Sequence, residues 1–335
     1  MKTRLLIVVR LLALSLFILH ASSALAQGAN VTLNLAHVGA PVSPQQTIGQ
    51  LFAEKVAEKT GGSVTIQIHD SGTLGNERQL QDGVTTGTID IAIAGTFSHS
   101  IPFAGILEAP LLFRDLDHFV NAFSGEVGEE LLAHFAQELR AQPLFIAPHG
   151  GFRYITTKAT PIRSPEDMQG LRLRNPNVPA FNVMAQVAGA LPVPLDFSEL
   201  YVALDRGVVD GQHNPVGHVV GSQFFEVQDY LSMVPWGISP HVVTMSSRAW
   251  NRLSAEQQEA VMEAARETAR EYPAIATEQE NEQLEYLRDR MTIVTPDEID
   301  MEAFGQLFEE EGLPGLEREY GEAGARWVRA ILDVE

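Results

Sequence analysis

The chain has 335 residues, with 23 Lys and Arg against 43 Asp and Glu, ten His and no Cys, for a formal net charge of −20. So acidic a chain is a poor match for nucleic acid, whose phosphates are gripped by basic patches. Hydrophobic residues at 45% and charged residues at 20% are those of a globular protein, and the lack of Cys excludes a disulfide scaffold, a thiolate metal site and a cysteine nucleophile. The length implies about two domains, each large enough to bury a core.

At the N-terminus, Lys2 and Arg4 precede an apolar run from Leu5 to Leu19 that only Arg10 and Ser15 interrupt, and Ala24-Leu25-Ala26 follows. This is the pattern of a cleaved secretory signal peptide over residues 1–26. A membrane anchor fits less well, because Arg10 shortens the apolar stretch below the ~20 residues that a span needs. Cleavage removes three cations and no acid, and leaves the mature chain more acidic still. With no Cys to carry a lipid and no later apolar run of spanning length, the mature protein is expected to be soluble in the periplasm and not embedded in a membrane.

The mature chain alternates strands and helices. Val31, Leu33 and Leu35 alternate with polar residues as a strand. Ser43-Pro44-Gln45-Gln46 then reads as a capping box opening a helix whose apolar face is Ile48, Leu51, Phe52 and Val56. Val64, Ile66 and Ile68 form a second strand, Asn76 to about Thr86 a second helix, and Ile89 to Ala94 a third strand. Glu126 to Arg140 reads as a helix, Pro143 to Ala147 as a strand, Ser164-Pro165 as a short helical turn, and Leu171 to Arg174 as a strand. Helices follow from about Pro179 to Val187 and from Ser198 to Arg206, the latter leading into Val208-Val209-Asp210. Ser254-Ala255-Glu256-Gln257 is another capping box, opening a long helix that is expected to kink at Pro273 and run to about Arg290. Glu309 to Leu332 is a final acidic helical region. The alternation predicts an α/β fold. No linker separates its two domains, so the chain is expected to cross between two lobes more than once.

Catalytic motifs are missing: there is no G-x-S-x-G elbow, no phosphate-binding Gly-Lys-Ser/Thr loop, no H-E-x-x-H and no Gly-rich dinucleotide fingerprint. Asp210, His213 and His218 are conceivable metal ligands, but the spacing of the two His and the intervening Gly211, Pro215 and Gly217 do not place them on one helical face. The informative stretch is 164–215. If Leu171 and Leu173 face a core, Arg172 and Arg174 share the opposite face, and Pro176 ends the strand. Arg174 then lies between a strand C-terminus and a helix N-terminus, where α/β sheets hold anions, and a guanidinium there grips a carboxylate with two parallel hydrogen bonds. The competing reading is a pair of solvated surface arginines. Similarly, Arg153 either reaches a cleft or caps a turn, Phe197 is a hydrophobic staple on Val202 or a ligand contact, and Asn214 before Pro215 is a turn residue or a ligand contact.

In order along the chain stand 164-SPEDMQGLRLR-174, 189-GALPVP-194, 197-FSELY-201 and 203-ALDRGVVDGQHNP-215. With Gly72-Thr73-Leu74-Gly75, Gly87-Thr88-Ile89-Asp90, Pro110 to Phe113 and Trp250 to Leu253, these segments resemble the extracytoplasmic solute-binding subunits of tripartite ATP-independent periplasmic (TRAP) transporters, in the branch named for dicarboxylate uptake. The resemblance spans essentially the whole mature chain. It implies a two-lobed periplasmic-binding-protein-like α/β fold that closes over a small organic acid, with a long helix spanning both lobes. Lobe I is then 27–150 with about 240–275, and lobe II is 151–239 with about 276–335. It assigns the carboxylate grip to Arg174, a second arginine used by some members to Arg153, and cleft positions to Asn177, Phe197 and Asn214. His37, His99, Phe152, Trp236 and His241 are further expected cleft residues. At two positions the chain departs from the family: many relatives carry an acid where His213 stands, and some sugar-acid binders carry one at Gly95, which makes a sialic-acid-like ligand doubtful. The implied partners are the TRAP membrane permease subunits, with no cofactor. A periplasmic hydrolase or lyase acting on a small organic acid, and a receptor serving a sensor system, are the competing readings.

Overall fold

The computed structural model describes residues 30–335. The expected signal peptide lies outside them. Two sheets form the scaffold. The first contains β1 (Val31–Ala36), β2 (Val64–His69), β3 (Ile91–Ala94), β4 (Ala141–Pro148) and, from much later in the chain, a strand spanning Pro240–Ser246. Helices α1 (Pro44–Lys59), α2 (Glu77–Thr86), α3 (Leu116–Ser124) and α4 (Glu126–Leu139) connect these strands, with a 3₁₀ segment over Pro102–Glu108. The second sheet contains β5 (Arg153–Thr157), β6 (Arg172–Asn175), β7 (Leu191–Pro194), β8 (Gly211–Asn214) and β9 (Tyr230–Gly237). Between them run α5 (Pro179–Val187), α6 (Leu200–Asp205) and α7 (Val216–Gly221). The Pro240–Ser246 strand is β10. It is followed by α8 (Ser247–Trp250), α9 (Ala255–Arg288), β11 (Thr292–Val294), α10 (Met301–Leu307) and α11 (Leu313–Leu332).

Strand order is β2-β1-β3-β10-β4 in the first sheet and β11-β9-β5-β8-β6-β7 in the second. The chain therefore passes from the first sheet to the second after β4, returns between β9 and β10, and crosses again through α9. That third crossing is made by 34 residues of helix, about 50 Å at 1.5 Å per residue. The N-terminal part of α9 lays Val261, Ala264, Ala265 and Tyr272 on the core of the first sheet, and Leu287 enters the core of the second. The expected helix is present and passes through Pro273, giving up the one ladder bond that a proline cannot donate.

Local signals explain most element ends. Asn76 caps α2 in a full capping box with Gln79, Ser254 does the same for α9 with Gln257, and Gly87 ends α2 in the left-handed region. Ser43 caps α1 by accepting Gln46 N–H, but the expected reciprocal half is missing, because the Gln46 side chain bonds His37 Nε2 at 3.0 Å instead. Val208-Val209-Asp210 leads from α6 into β8, with Asp210 held by Arg172. The last helix touches both sides: its Tyr320 hydroxyl accepts the Ala180 N–H of α5 at 2.9 Å. Trp327 stacks on Phe103 at 5.9 Å, and His118 Nε2 bonds Ile331 O at 2.9 Å, so α11 reaches back to the first sheet's helices.

The glycine that opens β8 is a packing requirement. A Cβ at Gly211 would stand 2.5 Å from the Thr156 carbonyl oxygen of the neighbouring strand, and backbone cannot yield as a side-chain tip can. Gly211→Ala is expected to cost roughly 1–3 kcal/mol, typical of overpacking, whereas Gly305→Ala in α10, with nothing within 4 Å, is expected to be neutral or stabilising through helix propensity. Urea unfolding midpoints at constant m-value check both.

Candidate functional site

Alternation along β6 places Arg172 and Arg174 on the same face, yet the two have different fates. Arg172 is exposed at the strand's start and clamps Asp210, with Nε 2.9 Å from Oδ2. Arg174, at the strand's C-terminal end, is only 2% exposed. Its Nε and Nη2 both donate to the carbonyl of Leu195, which follows the parallel neighbour β7, at 3.0 and 2.7 Å. The solvated-surface reading thus holds for Arg172 and fails for Arg174. Burial, and then the charge of Arg153, pull the Arg174 pKa down to about 9.

Arg153 opens β5, which runs antiparallel to β8 and so lies beside His213 and Asn214. It is 4% exposed. Its Nε donates to His213 Nδ1 at 2.9 Å, and Nη2 donates to His213 O at 2.8 Å and Asn214 Oδ1 at 3.0 Å. Nη1 has only long contacts, to His149 Nδ1 and Ser239 Oγ at 3.5 and 3.4 Å. Because Nδ1 of His213 accepts, its proton sits on Nε2, which donates to Asn175 Oδ1 at 3.0 Å. The imidazole therefore holds Arg153 in place without neutralising it, as a carboxylate at that position would. Burial lowers the Arg153 pKa to about 10.

Both guanidiniums are thus buried and held by neutral acceptors. The helix N-terminus beside them does not supply the anion seat expected from the sequence. Pro179 has no N–H, and the Ala180 N–H donates to the Tyr320 hydroxyl of α11 at 2.9 Å.

Arg153 and Arg174 open into a cleft of about 420 Å³ between the two sheets, within the range of small-molecule sites. The structure brings Asn177, Phe197, Asn214, Gly95, His99 and His241 to the same cleft. Phe197 packs edge-on to His218 at 4.9 Å, while Val202, its expected staple partner, is exposed. Three expected residues lie elsewhere. His37 is fully buried behind the wall on Gln46. Trp236 is sealed in the core between His213 and Phe304, and Phe152 packs against the hydrophobic cores. At the mouth, Asp196 accepts from Asn177 Nδ2 at 3.1 Å and, across the lobes, from Asn76 Nδ2 at 3.0 Å. Asp210, His213 and His218, weighed above as metal ligands, are each engaged with a different partner, and the described residues contain no cluster arranged for a metal ion.

Around the cleft stand further groups, of which His149, Glu77 and Glu108 were not singled out by the sequence. His149 stacks on His241 with centroids 3.8 Å apart and hydrogen-bonds His218 through the Nε2 atoms. Burial is the first cause and the Arg153 charge a further one in holding all three well below the ordinary imidazole range, with His241 near 3. Glu77 opens α2 and its Oε1 accepts Gly95 N–H at 2.6 Å; Glu108 Oε1 accepts from Thr96 Oγ1 at 2.8 Å. Burial raises both carboxyls, Glu77 to about 7. Glu108 was legible in one respect: it is the lone charge in the apolar stretch from Ile101 to Phe113.

Comparison with known proteins gives a consistent result. Residues 35–311 match the model of the bacterial extracellular solute-binding protein family 7. A solute-binding protein of Roseobacter denitrificans is 33% identical over 289 residues, covering 85% of this chain and 86% of that one. The 2,3-diketo-L-gulonate-binding periplasmic protein of Escherichia coli is 29% identical over 275 residues, 82% of this chain and 83% of its own. Among solved structures, a TRAP periplasmic solute-binding protein from Polaromonas bound to D-erythronate superposes with a TM-score of 0.84 at 28% identity, covering 91% of this chain and 99% of that one.

The buried imidazoles make stability pH-dependent. His37, His149, His213, His218 and His241 all have folded pKa values depressed below 6.5, so the unfolded chain binds their protons first. Their contribution is complete above about pH 6.5 and is lost as the pH falls, at about 1.4 kcal/mol per pH unit for each group. Glu77 and Glu108 are raised and act in the opposite sense, favouring the fold as the pH falls toward 4.5, but they are fewer. The melting temperature of the unliganded protein is expected to drop steadily from pH 7 to pH 5, and His241→Asn to reduce that slope. Thermal melts across this range check both.

Proposed function

This chain belongs to family 7 of the bacterial extracellular solute-binding proteins, and on that premise we propose that its cleft captures the carboxylate of a small organic acid between Arg174 and Arg153. The family and its solved members are TRAP solute-binding proteins of transporters rather than enzymes. The observation that carries the reading is the pair of buried guanidiniums held only by neutral acceptors. Buried charge is costly; Glu77, Glu108 and Asp196 act on the two guanidiniums only through space, and an incoming carboxylate supplies a directly bonded anion with bidentate geometry. Arg174 Nη1 makes no hydrogen bond within the chain and Arg153 Nη1 makes only long ones, so each has a donor to offer. The acids named for the relatives, D-erythronate and 2,3-diketo-L-gulonate, both bring a carboxylate.

Asn214 contributes by fixing Arg153, and Phe197 and Asn177 by closing the cleft beside the grip. The hydrogen bond from Asn76 to Asp196 ties the first lobe to the second at the mouth and is part of the closed state. That closed state is the form we expect to dock on the membrane permease subunits. No helix among the described residues is long and apolar enough to cross a membrane, which fits a receptor delivered to the periplasm by its N-terminal signal peptide.

Arg174→Ala is expected to weaken binding of the cognate acid by roughly 2–5 kcal/mol, as for loss of one partner of a buried charge pair. Without ligand the variant should melt no lower than the parent, because an uncompensated buried charge has been removed. Calorimetric titration and thermal melts check the two halves. Parent-like affinity in a folded Arg174→Ala protein would remove Arg174 from the site.

A further inference from the structure

The charge balance of the cleft changes when an anion enters it. Two cations, Arg153 and Arg174, stand there with three acids, Glu77, Glu108 and Asp196. Glu77 acts through space on both guanidiniums, Glu108 on Arg153 and Asp196 on Arg174. A ligand carboxylate bonded to the arginines adds a further negative charge, and the described residues lining the cleft hold no cation to meet it. Arg78 is exposed at the rim beside Asp82, and His99 also turns to Asp82, at 3.0 Å. Burial keeps the imidazoles of His149, His218 and His241 neutral. Surplus negative charge shielded from water is unfavourable, and a carboxyl in such a place takes up a proton instead.

The geometry at Gly95 selects the group. Glu77, at the start of α2, and Glu108, at the end of the 3₁₀ segment, converge on the space that this glycine leaves. A Cβ there would stand 3.2 Å from Glu108 Oε1 and 3.3 Å from Glu77 Oε1. Two carboxylates that share one space favour a proton on one of them. Glu108 is held by the N–H and hydroxyl of Thr96 and by Ser239, bonds that favour its ionised form. Asp196 has both oxygens engaged, by Asn177 and Asn76. Glu77 receives only the Gly95 N–H, at 2.6 Å on Oε1, so its Oε2 is free to carry a proton. Burial, with the Glu108 charge adding to it, raises Glu77 to about 7, which leaves the free cleft divided between the two forms near neutral pH.

Resting on the carboxylate grip described above, we propose that the cleft binds a proton together with its acid: Glu77, crowded against Glu108 at Gly95, is protonated as the ligand carboxylate bonds Arg153 and Arg174. The proton comes from solvent and stays on a carboxyl oxygen, and no bond to the ligand forms or breaks. The solute is thus captured as an anion plus a proton. Because the liganded cleft holds the extra proton, affinity falls as the pH rises through the range in which the free cleft loses it.

D-Erythronate, L-galactonate and pantoate serve as probes. Each is a monocarboxylate that stays ionised above about pH 6, so none brings a titrating group of its own. Calorimetric titration in HEPES and in Tris at the same pH counts the protons, because the two buffers give them up with different enthalpies. At about pH 7.5 the wild-type protein is expected to take up roughly 0.5–1 proton per ligand bound, and its Kd to rise about fivefold per pH unit between about pH 7 and 8.5. Glu77→Gln, whose amide imitates the neutral carboxyl at every pH, is expected to take up none. Its Kd should be flat across this range and, at the upper end, no weaker than that of the wild type. Equal heats of wild-type binding in the two buffers overturn the proposal. So does full uptake that persists in both folded Glu77→Gln and Glu108→Gln proteins, which places the proton elsewhere. A folded Glu77→Gln protein that binds weakly at every pH also overturns it, by giving Glu77 a role in its ionised form. These failures leave the carboxylate grip intact, whereas binding by none of the probes, or binding unweakened by Arg174→Ala, rejects the grip itself.

Discussion

Two buried guanidiniums with no carboxylate bonded directly to them, and with Glu77, Glu108 and Asp196 acting only through space, are the constraint around which the cleft is organised. Removing such a charge from water is unfavourable unless something compensates, and the compensation within the chain is deliberately incomplete: a single carbonyl for Arg174, and a neutral imidazole, a carbonyl and a side-chain amide for Arg153. Elsewhere many cations of this acidic protein are paired at the surface, as Lys59 is with Glu263 and Glu267 or Arg172 with Asp210. The negative overall charge therefore says little about the ligand's sign. What matters is where a guanidinium is left without a carboxylate bonded to it, and that is inside.

The fold supplies the rigidity such a site needs. Arg174 and Arg153 stand on neighbouring parts of one sheet, and the strand between them, β8, contributes the His213 and Asn214 that hold Arg153. Glu77, Glu108 and Gln45 belong to the opposing sheet's connections. The chain crosses between the sheets after β4, between β9 and β10, and along α9, and the hydrogen bond from Asn76 to Asp196 joins the two walls as well. One hydrophobic cluster runs beneath both sheets, from Phe97 and Phe119 to Phe181 and Phe304.

How much of this was legible depended on range. Capping residues and apolar periodicity located α2, α5 and α9 closely, because those signals are local. Strands β9 and β10, the 3₁₀ segment at 102–108 and α3 were not anticipated, since such elements take their conformation from burial that only the folded core defines. At the site, the proline-terminated strand meeting a helix left Arg174 open between an anion grip and a surface arginine, and the family resemblance assigned it the grip; the helix terminus expected beside it is occupied by Tyr320. Trp236 and His37 were expected in the cleft and are behind it, because residue type does not reveal which side of a wall a ring occupies. Glu77 looked like an ordinary acid in a helix's first turn, and the His149, His218 and His241 cluster joins residues up to 92 positions apart, which no spacing rule captures.

Two guanidiniums with no carboxylate bonded to them make an anion the expected ligand of the cleft. A thermal-melt screen of small organic acids, each run beside its neutral alcohol or amide, tests it most directly, because a ligand that binds only the folded state raises the melting temperature by mass action. The account predicts that some acids stabilise the protein and that none of their neutral counterparts does so. Stabilisation by neutral or cationic solutes, with no acid shifting the transition, would contradict it.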